Sequence, residues 1–375
     1  MTRRLLLIGG GHAHVGVLAA LGREPLRDAD GAPWEVTLVS PYERQVYSGM
    51  LPGWIAGHYR IEQCVIPLRP LAQRAGVRYV QAHATGLTLA ARTVQTDIGE
   101  TLPFDLVSID IGPAFDWATL PGAREHAVAL RPIEHFIVAW QQLHARLAQA
   151  GTVPATIVGG GAGGVEIALA WAHRAQREAL PLRLQLVCGR AGPVPTLPPA
   201  VGARLRHWLA RSEVRLIEDE AAGVHADAVQ LAGGEPLPSA GTLAATGAAA
   251  VTWPAQAGLA VDARGFIAVD EHLRSTSHPF VFATGDCATM VEHPRPKSGV
   301  YAVRAGPPLA FNLRRIAAER APQRYLPQRR ALYLLATGPQ HAIGVWGKLV
   351  AEGDWVWRWK DWIDRRFMAM YGAEA

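Results

Sequence analysis

Apolar positions along the chain fall into short unbroken runs closed by glycine, which predicts buried parallel strands more than half-exposed ones. Residues 5–8 come first. These four apolar residues are too few to cross a membrane and lead into Gly9-Gly10-Gly11-His12-Ala13-His14. Residues 15–21 follow and read as a helix. Strand, glycine turn and helix in this order make a phosphate-binding unit. The glycines allow the tight turn, and free N–H groups at the helix start meet a pyrophosphate. One copy is a weak signal, because His14 stands where the third glycine of the fingerprint belongs. A second copy, Thr156-Ile-Val-Gly159-Gly160-Gly161-Ala162-Gly163-Gly164-Val165-Glu166, carries all three glycines in register. Two dinucleotide sites in one chain imply a flavin beside a nicotinamide.

The remaining pattern fits around these units. Residues 34–40 read as a second parallel strand, whose end usually bears an acid for the adenosine ribose. Ser40 holds that place with Arg44 nearby, so the expected ribose contact is a hydroxyl. Tyr47-Ser-Gly-Met-Leu-Pro52-Gly53 shows no helical or strand period. It is expected to be an apolar loop packed on a flavin ring or on the first helix. Residues 77–80 and 102–110 predict further strands, the latter ending in Ile111-Gly112-Pro113, and residues 133–149 predict a bridging helix. Residues 182–188 are the counterpart of the acid-bearing strand. No acid ends it, and Arg190 follows, which favours loose nicotinamide choice or NADPH. Residues 243–247, with Gly247 at the turn, close the inner unit. Residues 265–274 and 279–288 return to the outer one, where Asp286 after Gly285 is placed to accept from a ribityl hydroxyl.

The expected fold class is therefore α/β, with two Rossmann-like dinucleotide domains and a C-terminal tail. The flavin domain is discontinuous (1–115 and 248–322), the nicotinamide domain is 116–247 and the tail or cap is 323–375.

Composition narrows the function. Of 375 residues, 49% are hydrophobic and 18% charged, which suits a globular enzyme and argues against disorder. The net charge of +5 fits anionic nucleotides or an acidic membrane surface. No dense basic run or aromatic-basic motif points to nucleic acid. Cys64, Cys188 and Cys287 form no C-x-x-C, so a disulfide-exchange centre is not expected, and reduced thiols suit a cytoplasmic protein. Arg3-Arg4 imitates the start of a signal peptide, but the apolar stretch stops at Gly9. His12 and His14, two positions apart on a forming helix, point to different faces, and no metal is expected. For His14 a phosphate hydrogen bond or a packing role is expected.

Twelve tryptophans are many, and five lie between Trp346 and Trp362. On a helix, Trp355, Trp359, Ile363, Phe367 and Met370 share a stripe, with Trp357 pointing away. Arg358, Lys360, Arg365 and Arg366 flank it. Such a helix suits a membrane interface, a cover for the flavin domain's core, or a dimer contact.

With these residues in view, the chain resembles the two-dinucleotide-fold flavoproteins of the pyridine nucleotide–disulfide oxidoreductase superfamily. Gly-Gly-Gly-His-Ala-His, Tyr-Ser-Gly-Met-Leu-Pro-Gly, Pro296-Lys-Ser-Gly-Val-Tyr-Ala-Val-Arg304 and Trp357-Arg-Trp-Lys-Asp-Trp-Ile-Asp-Arg-Arg-Phe367 resemble the type II NADH-dehydrogenase-like proteins associated with selenide, water dikinase. The resemblance implies FAD in the outer domain, NAD(P)H in the inner one, and hydride transfer to the flavin. It implies flavin contacts at Gly9, Gly11 and Asp286, and nicotinamide-side roles for Gly159, Gly161, Gly164 and Glu166. Glu166 is expected to orient the nicotinamide. Lys297 would place positive charge at the flavin's pyrimidine end or lie in solvent. The acceptor, a quinone or a soluble molecule, is left open. The other reading is a flavin-bound, redox-sensitive binding protein with little turnover, linked to selenium metabolism.

Overall fold

A computed structural model describes residues 2–372. The first apolar run becomes the strand Arg4–Ile8 at the centre of a five-stranded parallel sheet. Glu35–Val39 and Leu106–Ile109 flank it, with Arg78–Val80 and Val281–Ala283 at the edges. Leu5, Leu6 and Leu7 are buried on both faces, as an all-parallel sheet requires. The edge strand Val281–Ala283 comes from far along the chain and pairs Val281 with Val107. Helix Gly299–Ala317 packs on helix His12–Arg23 beneath the sheet. Their backbones meet so closely that a Cβ at Gly306 would lie 3.0 Å from the Ala13 carbonyl oxygen.

A second parallel sheet repeats the plan, in the order Ala127–Ala129, Thr242–Ala244, Val153–Val158, Leu182–Val187, Arg215–Ile217. Both glycine fingerprints thus sit between a central strand and a helix, His12–Arg23 in one sheet and Ala162–Arg177 in the other. The fold is α/β with two Rossmann-like cores.

Three expectations are corrected. Residues 102–110 are not one strand. Thr101–Pro103 joins an antiparallel meander with Ala84–Thr88 and Thr93–Thr96, while Leu106–Ile109 enters the main sheet. Asp105 marks the break, its carboxylate accepting from the Arg4 N–H at 2.7 Å. Residues 47–53 are not irregular either. A 3-10 turn Ser48–Met50 runs into the short helix Leu51–Ile55, with Pro52 in its first turn, where its missing N–H costs nothing.

The tail holds an unforeseen antiparallel sheet of Leu332–Ala336, Ala342–Trp346 and Leu349–Gly353, before helix Asp354–Ala369. That helix turns differently from the expected stripe. It buries Val356, Trp357, Lys360, Asp364, Phe367 and Met368 and exposes Trp355, Trp359, Trp362 and Met370. Trp357 and Phe367 both belong to the core face, and aromatic residues occupy both sides, so an aromatic count cannot fix the helix rotation. Among the described residues no helix is long and apolar enough to cross a membrane.

Candidate active site

A cavity of about 440 Å³ opens at the carboxyl ends of the outer sheet, where ligands of doubly wound sheets bind. It runs from Ser40 and His83 past Gly9, Gly10 and Gly11 to Ser298 and Gly299. Gly9, Gly11, Ser40, Arg44, Gly112 and Asp286 all line it. These were six separate expectations along the sequence, and the fold brings them to one wall. Residues 131–134 and Trp253 close the other side.

The turn is glycine for steric reasons. Gly9 has φ +89, and a Cβ there would lie 2.3 Å from the Asp110 carbonyl oxygen. The N–H groups of Gly10 and His12 have no hydrogen-bond partner among the described residues. His12 Nε2 is likewise buried without a partner, and His12 lines the cavity. An acceptor-rich group such as a dinucleotide pyrophosphate fits these free donors. Burial holds the His12 imidazole low, at about 4, against the pull of Asp286, so it is neutral at neutral pH.

Asp110 is the residue the sequence pattern missed. Its Oδ2 accepts from the N–H groups of Ala13 (2.8 Å) and His14 (3.0 Å), capping the first turn of the fingerprint helix. Burial pushes its carboxyl up to about 7, opposed by those two N–H groups. The signal was an acid ending an otherwise apolar strand, just before Ile111-Gly112.

Other expected residues are engaged elsewhere. His14 is fully buried, with Nδ1 2.6 Å from the Gly9 carbonyl oxygen and Nε2 2.8 Å from Ser108 Oγ, and it does not line the cavity. Arg44 lines the cavity but is clamped by Glu134, with Nη2 3.0 Å from Oε2. Ser40 Oγ donates to the Tyr42 carbonyl oxygen at 3.1 Å. Pro52 is buried away from the cavity.

Lys297, expected at a flavin ring or in solvent, is largely buried. Its Nζ donates to the Ala288 carbonyl oxygen and to Thr289 Oγ1 and lies 4.1 Å from the Phe266 ring centroid. It lines, with Gly285 and Asp286, a smaller pocket of about 70 Å³, and burial lowers its pKa.

The inner fingerprint lies outside the large cavity. A Cβ at Gly164 would sit 2.0 Å from the Gly159 carbonyl oxygen, so this glycine lets the helix pack on the turn, whereas Gly161 faces open space. Gly247 is exposed. Arg190 is exposed, and its Nε pairs with Asp219 Oδ1 at 3.1 Å.

Glu166 lies on the inner helix facing the tail, where its Oε1 accepts from the Ala336 N–H at 2.8 Å. Burial pushes its carboxyl up to about 7, with Lys360 pulling the other way. Lys360 is itself buried, donating to the Gly49 carbonyl oxygen at 2.6 Å and to Asp364 Oδ2 at 2.5 Å. Beside it Tyr47 stacks on Phe367 (centroids 4.6 Å apart), with His12 5.7 Å from Tyr47. The second fingerprint helix, residues 47–50 and the C-terminal helix thus converge next to the cavity. Burial pushes the thiols of Cys64 and Cys287 up to about 12 and that of Cys188 to about 11, and all three are free. None is poised as a thiolate nucleophile.

The chain is similar to known proteins. The type II NADH:quinone oxidoreductase of Staphylococcus epidermidis is 26% identical over 131 residues, 35% of this chain and 31% of the relative. The match spans about a third of that relative's length. The sulfide:quinone oxidoreductase structure from Aquifex aeolicus superposes with a TM-score of 0.80 at 17% identity, covering 99% of this chain and 91% of that one. The NDH2 structure from Plasmodium falciparum gives 0.78 at 13% identity, covering 100% and 99%. At such identities these structures establish the fold. The family model of the pyridine nucleotide-disulphide oxidoreductases matches residues 3–306, and the chain belongs to that family of flavoproteins using FAD and NAD(P)H.

Proposed function

We propose that the chain is an FAD-dependent oxidoreductase that takes hydride from NAD(P)H and passes electrons to a quinone at a membrane surface. One observation carries the reading: Glu166 of the nicotinamide-side helix feels the charge of Lys360 of the tail helix, and Lys360 donates to the Gly49 carbonyl oxygen next to Ser48 of the outer cavity's wall. FAD, when bound, supplies the two-electron carrier between donor and acceptor. The residues present fit it. Gly9 and Gly11 would cradle the pyrophosphate beside the free N–H groups, and Asp286 would accept from the ribityl chain. The stacked Tyr47 and Phe367 beside this wall would shield a bound ring from water. Glu166, with its raised pKa, exchanges a proton near neutral pH at the same junction.

The exposed Trp355, Trp359 and Trp362, beside Arg358 and Arg366, support peripheral contact with a membrane's cytoplasmic face. Hydrophobic quinones partition there, so an enzyme using them gains by docking. The resemblance to proteins encoded with selenide, water dikinase adds selenium compounds to the acceptors worth testing. Sedimentation of the holoenzyme would also report whether a second copy covers the same face.

The test is stopped-flow reduction of the purified yellow protein by NADH and NADPH, followed by reoxidation across quinones, oxygen, selenium compounds and a soluble dye. Rapid bleaching and quinone-dependent recovery are expected. A flavin that neither nicotinamide bleaches would leave only a redox-sensitive binding role.

A further inference from the structure

The inner sheet lacks an acid at the end of its second strand, yet a carboxylate stands there. Strand Leu182–Val187 ends in Cys188, whose carbonyl oxygen lies 2.3 Å from where Gly160 of the fingerprint would carry a Cβ. The gap beside this contact is where the adenosine ribose of a dinucleotide on such a turn is held. The neighbouring strand Arg215–Ile217 runs directly into Glu218, Asp219 and Glu220. The two strand ends stay in step beyond the sheet: Cys188 N–H donates to the Ile217 carbonyl oxygen at 3.0 Å and Gly189 N–H to that of Asp219 at 3.2 Å. Glu220 then reaches across, its Oε1 accepting from the Arg190 N–H at 3.3 Å. Its Oε1 and Oε2 lie 3.0 and 3.3 Å from the Cβ position of Gly189. Gly189 has φ +76, a conformation that suits glycine, so the space a strand-end side chain would take is left to Glu220.

We propose that Glu220 is the acid that holds the adenosine ribose, supplied from the adjacent strand, and that it makes the chain select NADH over NADPH. This rests on the nicotinamide reading of the inner fingerprint given above. The ligand follows from the family; the carboxylates decide which of its two forms is accepted. A 2′-phosphate would meet the Glu220 carboxylate, and the two arginines at this edge already face acids. Arg190 is paired with Asp219, and Arg206 with Glu218 at 2.6 Å. Asp219 also accepts from the N–H groups of Glu220 and Gly233, which with Arg190 hold its carboxyl below the usual range, so it remains a charged partner for Arg190. The Arg190 expected from sequence to favour NADPH is thus drawn toward the residue next to the selecting acid.

The experiment compares kcat/KM for NADH and NADPH in dye reduction by the FAD-loaded full chain and two variants. The unaltered protein should favour NADH at least tenfold. Glu220→Gln should lower kcat/KM for NADH about tenfold to a hundredfold, the range of one charge-assisted hydrogen bond. The change should lie in KM, with NADPH use unchanged or raised and flavin content intact. Arg190→Ala, at an exposed side chain, should leave the preference for NADH in place. A preference for NADPH in the unaltered protein would overturn the proposal, as would equal losses for both nucleotides in Glu220→Gln. Selective loss of NADPH use in Arg190→Ala would do the same, by making that arginine a phosphate anchor. A flavin reduced by neither nucleotide, with both also failing to bind in equilibrium dialysis, would instead remove the nicotinamide reading and this proposal with it.

Discussion

The carboxylate of Asp110 occupies the space in which Gly11 would carry a side chain, its Oδ1 2.3 Å from the Cβ position. A side chain at residue 11 would therefore strike the Asp110 carboxyl and crowd the cradle. Gly11→Ala is expected to leave the inner sheet folded but to yield protein without flavin, read as the ratio of flavin to protein absorbance after purification.

Asp110 also makes a pH dependence. Its carboxyl rises from 3.8 to about 7 on folding, so between these values the native state binds a proton that the unfolded chain has lost. Stability from this group is complete below the unfolded value and is lost as pH rises through about 7. A tenfold change in proton affinity is worth about 1.4 kcal/mol, giving on the order of 4–5 kcal/mol across the window for the flavin-free protein. Chemical denaturation of apoprotein from pH 4 to 8 should show that decline. Asp110→Asn keeps an acceptor for the Ala13 and His14 N–H groups and should flatten it. Above pH 7 the charged carboxylate opposes a pyrophosphate, so FAD affinity should fall as pH rises in the unaltered protein and stay level in the variant.

The flavin released by heat should be FAD and not FMN, because the wall from Gly9 to Ser40 has no use without an adenosine half. Chromatography of the extract decides it, with FMN the contrary result. Asp286→Ala should lower flavin retention, since this side chain lines the cavity and the cation paired with it, Arg131, stands 3.4 Å away.

The tail helix does two jobs that different changes separate. Ending the chain at Gly353 removes Phe367 from Tyr47 and Lys360 from Gly49, so flavin loss or aggregation is expected. Changing Trp355, Trp359 and Trp362 to Gln alters only the exposed face. That triple variant should keep its flavin and dye activity while losing co-sedimentation with anionic liposomes at low salt. Liposome binding as strong as that of the unaltered chain would remove the membrane role of these residues.

Local features carried the sequence reading well. Both fingerprints, their flanking strands and the Gly285-Asp286 turn depend on residues adjacent in the chain, and each is found at a sheet's carboxyl edge. What stayed hidden is contributed across strands. Asp110 reaches a helix almost a hundred positions earlier, and Glu220 serves a strand end belonging to Cys188. Arg44 and Lys297 looked free in sequence because Glu134 and Thr289 become their partners only in three dimensions. The tail hairpin had a visible mark, Gly347-Lys348 between two apolar runs with Gly347 at φ +61, which fits a two-residue turn. The dense tryptophans beyond it drew the eye to the helix alone.

The outer sheet takes its edge strand Val281–Ala283 from beyond the whole inner sheet, and this sets a timetable on the ribosome. After Ile109 emerges, 172 residues (281 − 109) must follow before its partner strand exists. At bacterial and eukaryotic elongation speeds that is roughly 10–35 s. Through that interval the nascent chain exposes an apolar parallel edge, while the inner sheet has every strand it needs and can fold first. Asp286, Ser298 and Gly299 arrive later still, so the prosthetic group can be captured only near the end of synthesis. A cell making this protein must keep the half-built edge from pairing with its neighbours until then.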